Sequence, residues 1–95
     1  MSAFSWQAVA ADDLLWEAWE EAFTVYHRAT GETHLLNVLP VEILSLLQER
    51  PRSTEEIAAE LAARCEVAND GPWHRRVADI LEELEALSLV EPVDR

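Results

Sequence analysis

Three amphipathic helical segments follow one another through the second half of this chain, and a short apolar run, Thr33-His34-Leu35-Leu36-Asn37, leads almost directly into the first of them. So short a connection keeps strand and helix adjacent, which predicts a small sheet and a helical bundle around one core. Pro40 suits a first helical position, because its ring presets the helical φ and its missing N–H needs no partner there. Behind it Val41, Ile43, Leu44, Leu46 and Leu47 make a wide apolar face, and Pro51 stops the helix near Glu49. Ser53 and Glu56 have the spacing of a capping box, with Ile57, Ala58, Leu61, Ala62 and Cys65 on one side of the second helix. Asn69-Asp70-Gly71-Pro72 is a loop and cap signal, after which Trp73, Val77, Ile80, Leu81, Leu84 and Leu87 keep helical spacing over residues 73–87. Leu89, Val90 and Pro92 leave that helix as an extended tail or the stub of a wing.

The first half is less decided. Trp6 and Ala8 sit in a partly alternating stretch that suits a short strand. From Asp12 to Phe23 two patterns compete: Trp16, Trp19 and Phe23 have helical spacing, while Leu14, Trp16 and Ala18 alternate with Leu15, Glu17 and Trp19. The β-branched and aromatic run Phe23-Thr24-Val25-Tyr26 favours two strands with a turn near Glu20-Glu21, and the helical alternative stays open. Thr30-Gly31 supplies a residue able to take positive φ, which returns the strand at 33–37 beside 24–26. The expected fold is α+β: a small antiparallel three-stranded sheet followed by a three-helix bundle, one domain over residues 1–95. The third strand is left with a free edge, which can bind a peptide or pair with a second copy as a homodimer.

Charge and composition narrow the function. With 19 acidic against 7 basic residues the net charge is -12, a field that opposes phosphate backbones, so nucleic acid is not an expected partner. Every basic residue is Arg, which favours local bidentate contacts to carboxylates. No apolar run is long enough to span a bilayer and no secretory pattern opens the chain, so no membrane partner and a cytoplasmic location are expected. Cys65 is the sole cysteine; it is read as a small buried hydrophobe, without a disulfide or a cysteine-based zinc cluster. His27, His34 and His74 match no dense zinc spacing and are read as strand-edge or surface residues, so no metal or cofactor is expected. Trp6, Trp16 and Trp19 are read as sheet and core residues, with contact to a ligand as the alternative. No nucleophile triad or phosphate-cradling loop stands out, and no intrinsic catalysis is expected.

The Gly31-Glu32-Thr33-His34-Leu35-Leu36-Asn37 segment, the Ser-Thr-Glu-Glu-Ile start of the second helix, and the run from Ile80 through Leu89-Val90 together resemble the family of pyrroloquinoline-quinone synthesis protein D. The Gly-x-Thr-His-Leu-Leu strand and the preceding Trp-rich segment look like the branch of peptide chaperones in systems with an HPr-kinase-related enzyme. The resemblance implies a winged-helix-like recognition domain of ribosomal peptide biosynthesis. It also implies a non-catalytic role, in which the domain binds a precursor's leader peptide and presents it to a modifying enzyme. The implied peptide site lies between the third strand, Thr33, His34, Leu35, Leu36 and Asn37, and the third helix, with Trp73, Arg75, Arg76, Val77 and Ile80 as candidate contacts. Ser88 departs from the pattern, standing where a Gly often follows the last helical Leu.

An extended peptide added to an open edge gains main-chain hydrogen bonds, while side-chain pockets choose its sequence. Arg75 and Arg76 can pair with a peptide carboxylate or, as the plainer alternative, with Asp79 or Glu82 on their own helix. Two other functions stay open: a winged-helix DNA-binding regulator, which the acidic third helix disfavours, and a structural subunit docked on an enzyme.

Overall fold

The computed structural model describes residues 4–94. Five strands and three helices are arranged in two sheets around one helical body: β1 (Phe4–Ala8), β2 (Leu14–Ala18), β3 (Phe23–His27), β4 (Glu32–Leu36), α1 (Val38–Glu49), α2 (Thr54–Cys65), α3 (Gly71–Ala86) and β5 (Val90–Asp94). The expected three-stranded antiparallel sheet is β2-β3-β4, with three helices following it. The ambiguous stretch from Asp12 resolves into a short 3-10 turn, Ala11–Asp13, and then strand β2.

The first strand and the extended tail pair with each other in a separate two-stranded sheet. Trp6 lies opposite Pro92 in that ladder, yet its N–H and C=O bond Arg52 on the other side, at 2.7 and 3.0 Å. Pro92 therefore faces a position that asks for no ladder bond, which is where a strand tolerates proline. The Trp6 indole is 7% exposed and donates to Thr54 Oγ1 at 3.0 Å, which ties β1 to the start of α2. Arg52 is buried too, its guanidinium donating to the Leu46 carbonyl at 3.3 Å and to Glu49 at 2.8 Å as α1 ends.

The two-residue period of β2-β3-β4 separates a face turned to the helices from one turned to solvent. Leu14, Val25, His27 and Leu36 are buried on the inner face, whereas Leu15, Tyr26 and Leu35 on the outer face are exposed. Inner-face leucine and valine join Ile43, Leu44, Leu47, Ile57, Leu61, Val77, Leu81 and Leu84 in one apolar cluster. His27 lies in the central strand at 3% exposure, which corrects its reading as an edge or surface residue: it has the inward register of Val25.

Other expectations are corrected by where the helices begin and end. The third strand covers Glu32–Leu36, and Asn37 is instead the N-cap of α1, so Pro40 is the third helical residue. Proline fits there because the first intrahelical bond is the one from the Val41 N–H to the Asn37 carbonyl, and no earlier N–H has a partner within the helix. Cys65 is exposed, since the inward stripe of α2 ends at Leu61 and Ala62 and the last turn lies beyond the core. Trp16 is in the sheet but 43% exposed, at its β2 edge; Trp19 is 56% exposed beyond the end of β2, its indole donating to Thr24 Oγ1 at 3.2 Å. Both therefore lie outside the core that Trp6 joins.

The helix ends follow the expected chemistry. Ser53 Oγ accepts from the Glu56 N–H at 3.1 Å and the Glu56 carboxylate accepts from the Ser53 N–H at 2.9 Å, a complete capping box. Asp70 caps α3 by accepting the Trp73 N–H at 3.0 Å. At the other end Ser88 itself takes the left-handed conformation, with φ 63°. Its N–H bonds the Glu85 carbonyl and the Leu89 N–H bonds the Leu84 carbonyl, the crossed pair of a Schellman exit.

Candidate peptide-binding site

β4 is an outer strand of its sheet, and among the described residues no strand pairs its far edge. Its chain runs straight through Asn37 into α1, and this corner faces α3 across a cleft of about 700 Å³. One wall is Asn37, Leu39 and Pro40; the other is the α3 surface carrying Pro72, Arg75, Arg76, Asp79, Ile80 and Glu83. The α3 positions recur at helical spacing, so they form one continuous stripe beside the buried stripe of Val77, Leu81 and Leu84. Ile80 belongs to both: at 9% exposure it packs into the core and forms the apolar floor of the cleft.

Of the residues singled out from sequence, Asn37, Arg75, Arg76 and Ile80 meet in this cleft. Thr33, His34, Leu35 and Leu36 lie along the strand that leads to it. Their side chains divide by face, Leu36 buried at 6% and Leu35 turned outward at 70%. The His34 side chain faces inward, with Nε2 3.9 Å from a Glu32 carboxylate oxygen. Val77 is completely buried and supports the α3 stripe from beneath. Trp73 stands against α2, where its indole N–H donates to the Ala58 carbonyl at 2.9 Å; it borders a shallower hollow with Val67, Ala68 and Asp70.

Neither Arg75 nor Arg76 forms an ion pair among the described residues, although Asp79 and Glu83 share their stripe. The expected alternative, pairing with Asp79 or Glu82, is not made. Elsewhere Arg50, Arg52 and Arg64 are each paired, at 3.6, 2.8 and 3.3 Å to Glu56, Glu49 and Glu60. The sequence reading missed Leu39, Pro40, Pro72, Asp79 and Glu83 as cleft residues. The helical period that identified the buried stripe of α3 also groups the second one, but it does not say which exposed stripe the strand corner approaches.

Chemically, an open backbone edge ends beside a cleft that has an apolar floor and unpaired charges. That suits an extended chain, which can add main-chain bonds along β4 and place side chains on the floor. Among the described residues no group of three or more His, Cys, Asp or Glu side chains is placed to hold a metal ion.

The fold is similar to a solved chain described as TbiB1 in complex with the TbiA(beta) leader peptide, with a TM-score of 0.66 and 26% identity over 86% of this chain and 93% of that one. No curated protein matches the chain. The family model for coenzyme PQQ synthesis protein D (PqqD) matches residues 23–90, from the first residue of β3 to the first of β5. That span is well over half of the sequence and contains both walls of the cleft, so the chain belongs to the PqqD family.

Proposed function

We propose that this protein is a non-catalytic peptide chaperone of the cytoplasm. It binds the leader segment of a ribosomally made precursor by strand addition along β4 and presents it to a separate modifying enzyme. The observation that carries the reading is the cleft between Asn37, Leu39 and Pro40 and the α3 stripe, beside the end of a strand whose outer edge no other strand pairs among the described residues. The leader peptide held by the similar TbiB1 chain supports it. Contacts are assigned to the backbone of residues 33–37 and to the side chains of Asn37, Arg75, Arg76 and Ile80, with Leu36, Val77 and Trp73 holding the groove in shape. The Trp-rich segment before the Gly-x-Thr-His-Leu-Leu strand further suggests an HPr-kinase-related enzyme as the partner.

The magnitudes are adequate. Main-chain bonds contribute only about 0.5–1.5 kcal/mol each, less than the cost of ordering a flexible peptide. Apolar anchors on the Leu39, Pro40 and Ile80 surface must supply the balance. Burying about 300 Å² of ligand surface at roughly 25 cal/mol per Å² gives about 7 kcal/mol gross, a scale consistent with micromolar affinity.

The test is a backbone-labelled sample of the protein titrated with synthetic peptides that span the short reading frames neighbouring its gene. The expected result is saturable shifts at the amides of β4, Asn37, Arg75, Arg76 and Ile80. Shifts confined to the β1-β5 sheet, or none with any peptide, would refute groove binding.

A further inference from the structure

Resting on that peptide-binding reading, we infer the kind of peptide the cleft selects: one carrying an acidic, an apolar and a basic side chain on the same side of an extended strand, in the pattern acid-x-apolar-x-base or its reverse. The cleft is electrically two-ended. Arg75 and Arg76 stand toward the start of α3, Asp79 lies at its middle and Glu83 toward its end, and Ile80 lies among them. Arg75 and Asp79 have the spacing of helical neighbours, yet neither row is neutralised by an ion pair among the described residues. Charges held apart in this way leave a bidentate donor free at one end and carboxylate acceptors free at the other.

Helix and strand geometry set the spacing. At about 1.5 Å per helical residue, Ile80 lies about 7.5 Å and Glu83 about 12 Å along the axis from Arg75. Alternate side chains of an extended strand recur every 6.6 Å or so, so three residues on one side reach about 0, 6.6 and 13 Å. A strand laid along α3 thus matches an arginine, an apolar floor and a glutamate with three successive same-side positions. At the start of α1, Asn37 makes no side-chain cap hydrogen bond and lines the cleft. The surrounding charge of -12 repels a wholly acidic peptide, so the basic residue also offsets the field that the acidic one meets.

The experiment is selection from a displayed random peptide library on the natural protein and on the Arg75→Glu/Arg76→Glu variant, followed by titration of the enriched peptides. The natural protein is expected to enrich the acid-apolar-base pattern and the variant to enrich peptides with a base in place of the acid. Against a natural-protein winner, the variant should lose about ten- to a hundredfold in affinity, as expected for a charge-assisted bond. Replacing the peptide's acid with Lys should restore binding to the variant. Peptides that shift Asn37 and Ile80 but carry no charge pattern, or bind the variant equally well, overturn the inference and leave peptide binding intact. Failure of the natural protein to enrich any peptide overturns both.

Discussion

Replacing Ser88 with glycine should stabilise this protein, although it removes a side chain and adds no contact. Ser88 holds φ at 63°, in the left-handed region where the Cβ of an L-residue crowds the following carbonyl at a cost of about 1–2 kcal/mol. The conformation is imposed by the exit of α3, whose crossed bonds Ser88 N–H to Glu85 O, 2.9 Å, and Leu89 N–H to Leu84 O, 3.0 Å, return the chain so that Leu89 is completely buried. Glycine adopts this conformation without strain but has more freedom to lose on folding, an opposing effect of about 0.5–1 kcal/mol. The net gain lies within about 0–1.5 kcal/mol and centres on about 0.75 kcal/mol, which in a domain of this size raises Tm by about 3–6 °C. Ser88 is exposed, so no lost burial complicates the comparison. Calorimetric melts of the natural protein, Ser88→Gly and Ser88→Val should rank glycine highest and valine lowest, since a β-branched residue fits the left-handed region worst. A Ser88→Gly melt at or below that of the natural protein, with Ser88→Val unchanged, would refute the strain argument.

Trp73→Phe keeps an aromatic ring against α2 but loses the indole bond to the Ala58 carbonyl. It should cost about 0.5–1.5 kcal/mol, read as a lower urea midpoint, while the peptide-induced amide shifts in the α3 cleft persist. An unchanged midpoint would show that the bond contributes nothing. Adjacent β4 leucines should behave oppositely in the same assay: Leu36→Ala should cost about 2–5 kcal/mol as a core truncation, and Leu35→Ser should stay within about 0.5 kcal/mol. Similar losses at both would contradict the assigned faces of the strand.

How much of this protein is legible in its sequence depends on the distance over which each feature is determined. The Ser53 and Glu56 capping box, the Asp70 cap and the inward residues of the three helices, Cys65 excepted, were readable because they rest on bonds and periods within a few residues. Strand pairing around Thr30-Gly31 was readable for the same reason, and β3 and β4 pair across that loop, with Val25 opposite His34. The one-residue shift at Asn37 came from a competition that local signals leave close: the same residue can end a strand or cap a helix, and helix formation from Val38 decided it.

Local chemistry therefore determined the three helices, β3 and β4, left β2 undecided between strand and helix, and gave the left-handed demand on Ser88 only as a departure from a familiar pattern. Which surfaces meet was settled by packing. The pairing of β1 with β5, the burial of Arg52 against Trp6, the exposure of Cys65, Trp16 and Trp19, and the gathering of Asn37, Pro40 and Ile80 around one cleft all join positions far apart in the chain or depend on what covers them. Periodicity gives a helix its stripes, but only the packed core chooses which stripe is covered and which is left facing an open strand.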